Sequence, residues 1–121
     1  MQITLFKIAV SLAFAFAATS AFAHAQLQKA TPPVGGTVAS PSEIRLEFSE
    51  GVEPKFSGVT LTATGGATAP LGAARVEPGH QEVLIVPVAK ALPPGGYTVH
   101  WHAVSVDSHH TQGDFQFTVK P

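Results

Sequence analysis

The chain has 121 residues, with seven Lys and Arg against eight Asp and Glu, a formal charge of −1 and no cysteine. That length holds one domain, and the weakly acidic balance with no basic cluster argues against nucleic acid or anionic membrane surfaces as partners. Without cysteine no disulfide contributes, so a hydrophobic core alone must hold the fold.

In chain order, residues 1–23 read as a signal peptide. Lys7 precedes an apolar run from Ile8 to Ala18, and Ala21-Phe22-Ala23 has the small-x-small pattern that signal peptidase accepts. The run is short for a membrane span, Thr19 and Ser20 interrupt it, and no stop-transfer segment follows, so cleavage after Ala23 is expected to release an unanchored, exported chain. Taking 23 residues from 121 leaves 98, residues 24–121, which begin with His24. Lys7 is the only charge lost, so six basic residues remain against eight acidic ones, a formal charge of −2. Met1, the one methionine, leaves as well, and the mature chain contains no sulfur. Any metal it holds must be bound by nitrogen and oxygen, which suits Cu(II), Zn(II) or Ni(II) and disfavours Cu(I).

Strict alternation in Glu43-Ile44-Arg45-Leu46-Glu47-Phe48 predicts a half-buried strand with Ile44, Leu46 and Phe48 facing inward. The same period recurs at Val59-Leu61-Ala63, Tyr97-Val99-Trp101-Ala103 and Phe115-Phe117-Val119, and Val83–Val86 is a continuous apolar run. Turn chemistry separates these runs at Pro32-Pro33 with Gly35-Gly36, at Gly65-Gly66, at Pro78-Gly79 and at Pro93-Pro94-Gly95-Gly96. Residues Thr62 to Ala69 read as a loop. The breaks are too close for crossover helices, and short strands at this spacing predict an antiparallel Greek-key β-sandwich, with a closed barrel as runner-up.

The chemistry lies at the two ends of the mature chain. As a new N-terminus, His24 offers its α-amine and its Nδ1 to one metal, a chelate that suits the tetragonal geometry of Cu(II). The bland alternative is a histidine that happens to follow a cleavage site. Near the other end, Asp107-Ser108-His109 follows the Trp101 strand. If the backbone there is extended, Asp107 and His109 project to one side, and with His24 they complete three nitrogens and one oxygen. An Asp-x-His in a polar turn is by itself a weak signal, because Asp is a common turn former. His100 and His102 alternate on the presumed polar face of their strand and read as exposed or hydrogen-bonded, and His80 as an exposed turn residue.

The order His24-Ala25-x-Leu27, Ala30-Thr31-Pro32-Pro33, Leu46-Glu47-Phe48-Ser49-Glu50, Gly96-Tyr97-Thr98-Val99-x-Trp101, Val104-Ser105-x-Asp107-x-His109 and Gly113-x-Phe115-x-Phe117-x-Val119 resembles the CopC family of periplasmic copper-resistance proteins. The likeness spans nearly the whole mature chain. It implies an immunoglobulin-like β-sandwich, a periplasmic location and one Cu(II) per chain bound by His24, Asp107 and His109. It also implies a CopD-like inner-membrane partner. Glu50 matches the glutamate of the family's Phe-Ser-Glu segment, and is expected to orient the N-terminal amine, to bind weakly along the axis, or to be an ordinary surface carboxylate. Two departures stand out. Some members also hold Cu(I) in a methionine-rich loop, whereas residues 60–80 here contain no methionine, and the residue after the motif histidine, often proline in the family, is His110.

The leading expectation is therefore a monomeric copper carrier or buffer, not an enzyme. Two alternatives carry different predictions. A copper-dependent oxidative enzyme with an N-terminal histidine chelate would turn over oxygen with a polysaccharide, and a metal-free immunoglobulin-like envelope module would bind no metal tightly.

Overall fold

The computed structural model describes residues 24–121, so the expected signal peptide at 1–23 and its cleavage after Ala23 lie outside the described residues. Nine strands form two sheets, and none of the described residues is helical. The first sheet orders β1 (Leu27–Thr31), β3 (Glu43–Phe48), β7 (His80–Pro87) and β6 (Arg75–Glu77). The second orders β2 (Thr37–Val38), β9 (His110–Val119), β8 (Gly95–Val104), β4 (Gly58–Ala63) and β5 (Thr68–Ala69). The chain crosses repeatedly between the sheets, and the result is an all-β sandwich of the predicted class.

The core follows from the alternation. Ile44, Leu46 and Phe48 of β3, Leu84 and Val86 of β7, Tyr97 and Val99 of β8, and Phe115, Phe117 and Val119 of β9 form one buried cluster between the sheets. Burying each such side chain contributes about 1.5–3 kcal/mol before chain entropy is charged against it. The outer face of β7 is also covered. Ile85 pairs with Arg45 on one side and Arg75 on the other, and long arginine stems can lie over apolar surface while their charged ends reach water. Those ends meet carboxylates, Arg45 to Glu77 at 2.6 Å and Arg75 to Glu43 at 3.7 Å.

Two details depart from the expected pattern. The sandwich is antiparallel except at one edge, where two-residue β2 runs parallel to β9, Thr37 beside Thr118 and Val38 beside Val119. Residues 62–69 are a hairpin rather than a loop: β4 continues to Ala63, and β5 pairs back onto it through Leu61 with Ala69 and Thr62 with Thr68. Gly66, at φ +97°, makes the turn, closed by its N–H donating to Ala63 O. Small, polar β5 residues at a sheet edge bury little, which is why the apolar pattern did not announce them.

The ends of the strands position what matters. β1 runs antiparallel to β3, so the start of the described residues lies against the end of β3. β8 and β9 form a ten-pair hairpin from Gly95–Val119 to Val104–His110, whose connecting turn reaches the same end of the sandwich.

Candidate metal centre

His24 is placed by the segment that leads into β1. Gln26 N–H donates to Ser49 Oγ at 2.8 Å, Ser49 N–H donates to Gln26 O at 2.8 Å, and Ser49 Oγ lies 3.4 Å from His24 O. From the other sheet, Thr111 Oγ1 donates to Ala25 O at 2.8 Å, and Ala25 is fully buried. The N-terminal segment is thus tied to both layers. These hydroxyls were not singled out in the sequence. The Ser49-Glu50 step at a strand end was the nearest signal.

Asp107 and His109 arrive by a route other than the expected one. The backbone between them is not extended. Ser108 N–H donates to Ser105 O, Ser105 N–H donates to His109 O, and Ser108 sits at φ +71°, so a tight turn over residues 105–109 joins β8 to β9. A serine in that left-handed region costs about 1–2 kcal/mol. The turn nevertheless brings the two side chains together, with His109 Nδ1 3.1 Å from Asp107 Oδ1. Both are partly open, with side-chain exposures of 47% and 39%. The Ser105 hydroxyl is hydrogen-bonded to Asp107 Oδ1. That bond, followed by the bond from His109, holds the Asp107 carboxyl below its usual range, against the desolvation that raises it.

The His24 ring stands edge-on to His109, centroids 4.5 Å apart and planes at 87°. Asp107 is linked to the pair through His109. Among the described residues no three His, Asp or Glu side chains converge at metal-binding spacing. Two buried side-chain atoms, His24 Nδ1 and Glu50 Oε1, have no hydrogen-bond partner among the described residues. Such atoms are costly when unpartnered. One is an imidazole nitrogen of the ring that faces His109, and the other belongs to the residue after Ser49. Nitrogen and carboxylate oxygen are a donor set that fits Cu(II) or Zn(II).

The remaining histidines stay outside this group. His110 opens β9 opposite Val104, while the contacts with His24 and Asp107 are made by His109. On the outer face of β8, His100 leans toward Asp114 at 4.0 Å while the His102 ring lies over Gly58. The two rings are drawn to opposite neighbours and do not converge. His80 is exposed beside Glu82.

The model of the CopC domain family matches residues 27–120. The chain is 45% identical over 102 residues to Protein YobA of Escherichia coli (strain K12), covering 84% of this chain and 82% of that one. It is 43% identical over 110 residues to copper resistance protein C of Escherichia coli, covering 85% and 86%. The crystal structure of PcoC, a methionine-rich copper resistance protein from Escherichia coli, superposes with a TM-score of 0.73 at 34% identity, over 81% of this chain and all of that one.

Proposed function

The chain belongs to the CopC family, and on that premise we propose that its mature form is a periplasmic carrier or buffer that binds one Cu(II) through the His24 α-amine and Nδ1, His109 and Asp107. The observation that carries this reading is the buried, unpartnered His24 Nδ1 in a ring packed against His109, itself bonded to Asp107. Removal of residues 1–23 frees the α-amine and supplies the missing donor. Glu50, with its own unpartnered buried oxygen, is proposed to orient that amine or to bind weakly along the axis. The copper moves on to, or comes from, a CopD-like membrane protein, and the carrier acts as a monomer.

The absence of sulfur from the mature chain supports Cu(II) over Cu(I) as the cargo. In this respect the chain differs from the methionine-rich PcoC. A carrier is also favoured over an oxidative enzyme. Tyr97 is buried with its hydroxyl donating to Pro93 O at 2.6 Å, and half-buried Trp101 packs edge-on against Phe48 with centroids 5.3 Å apart, so the two rings do not make an exposed aromatic face for a sugar.

The test is a competition titration of the correctly processed protein with Cu(II) and Zn(II), beside a form carrying one extra glycine before His24. The processed form is expected to bind one Cu(II) in preference to Zn(II), and the extended form to bind it at least about 100-fold more weakly, because acylation removes one donor and opens the chelate. Equal affinities would falsify the N-terminal assignment, and oxygen-dependent turnover of a polysaccharide would sink the carrier reading.

A further inference from the structure

Ser105 is fully buried, and its backbone bridges to Val52 at the end of the sandwich that carries the candidate site. Its hydroxyl meets three groups of the next turn: Asp107 Oδ1, the His109 N–H at 3.2 Å and His109 O at 3.3 Å. A hydroxyl has one proton and two lone pairs. The carboxylate is the stronger acceptor, so the proton goes to Asp107 Oδ1 while a lone pair accepts the His109 N–H. One buried oxygen therefore sets the carboxylate of Asp107 relative to the backbone of His109. The bond has a further consequence for Asp107. Both of its side-chain contacts, to Ser105 and to His109 Nδ1, fall on Oδ1.

We infer that Ser105 is a positioning residue for the copper site: its hydroxyl pins Asp107 Oδ1 and leaves Oδ2 as the single oxygen offered to the ion. This rests on the reading of Asp107 as a copper ligand. Ser105 contributes no donor to the metal and acts through the carboxylate.

A double-mutant cycle on the processed protein separates positioning from folding. Cu(II) affinity by competition and the Cu(II) electron paramagnetic resonance spectrum are measured for wild type, Ser105→Ala, Asp107→Ala and the pair, with thermal unfolding of each metal-free form as a check on the fold. Ser105→Ala is expected to weaken Cu(II) binding about 10-fold, within the range found when partners of metal ligands are removed, and to shift the spectrum. In the Asp107→Ala background the same change is expected to cost less than about 2-fold, since the group it acts through is gone. An equal loss in both backgrounds overturns the inference, leaving Ser105 as a structural residue of the loop. So does a Ser105→Ala protein with wild-type affinity and spectrum. If Asp107→Ala itself leaves affinity unchanged, the ligand assignment fails first and the inference falls with it. Should Ser105→Ala fail to fold, Ser105→Thr retains the hydroxyl and is expected to bind within about 2-fold of wild type. A folded threonine variant with 10-fold weaker binding overturns the proposal.

Discussion

The two ends of the sandwich use the same strands to different purpose. At one end β3 runs out into Ser49 and Glu50, the β8–β9 turn carries Asp107 and His109, and His24 is tied between the layers. At the other, β4, β5 and the approach to β8 enclose a groove of about 470 Å³ lined by residues such as Ala63, Pro70, Leu92, Pro93 and Tyr97, with Lys90 its one charged side chain. The groove has volume but no set of donors. The site end holds the imidazoles of His24 and His109, the carboxylates of Asp107 and Glu50, and three hydroxyls, of which Ser105 bonds Asp107 while Ser49 and Thr111 bond the backbone of residues 24–26. Concavity and the candidate site thus fall at opposite ends, and the buried polar atoms that lack partners, His24 Nδ1 and Glu50 Oε1, point to the second.

The largest expected effect that separates the ends is on copper affinity. His109→Ala is expected to weaken Cu(II) binding by at least about 100-fold, the upper limit for loss of a supporting group, while Lys90→Ala in the groove leaves it unchanged. His110→Ala is expected to matter far less than His109→Ala. If His110→Ala abolishes binding and His109→Ala does not, the ligand must be moved by one residue. Competition titrations on the processed variants decide it.

A spectroscopic comparison is next in size. Trp101 packs on Phe48 in the half of β8 that leads to the site, so paramagnetic Cu(II) is expected to quench its fluorescence, saturating at one equivalent near neutral pH, while Zn(II) does not. Quenching that continues well past one equivalent would point to weaker sites elsewhere. Amine and imidazole donors bind only after losing their protons, so the titration is expected to weaken below neutral pH.

At the groove end the expected effect is on stability alone. Tyr97→Phe removes a hydroxyl bonded to Pro93 O and is expected to cost about 0.5–1.5 kcal/mol in denaturant unfolding, with Cu(II) affinity unaltered. A parallel loss of affinity would mean that the ends are coupled through the core.

The smallest effect concerns the metal-free protein in acid. The folded-state value of Asp107 is lowered, chiefly by the Ser105 hydroxyl, so its contribution to stability is present above the ordinary carboxylate range and is lost as pH falls through the lowered folded value. Asp107→Asn is therefore expected to lower the melting temperature slightly at pH 7 and not at all once both forms are protonated. A gap that persists unchanged in strong acid would show that the carboxylate's charge plays no part.

Much of this architecture was legible because burial imposes a period of two. Glu43–Phe48, Val83–Val86, Tyr97–Ala103 and Phe115–Val119 all lie in strands, and Ile44, Leu46 and Phe48 are buried as their alternation requires. β1 escaped because it buries only Ala30 fully and slips register between Leu27 and Lys29. Yet β1 is what delivers His24. The Asp107–His109 pairing was expected from extended backbone and is achieved by a turn, which no side-chain period can report. Ser105 could have been found. It continues the inward series Tyr97, Val99, Trp101, Ala103, and a hydroxyl at an inward position must find partners nearby.

The bond from Thr111 to Ala25 O joins residues 86 positions apart and brings the segment before β1 against the start of β9. In a chain without cysteine, an ion held between His24 and His109, as proposed above, would fasten the same two regions and act as a reversible clasp around nearly the whole domain. Because such an ion would bind the folded chain and not the unfolded one, its stabilisation would grow with the free copper outside, and the folded fraction would become a gauge of the metal the protein meets.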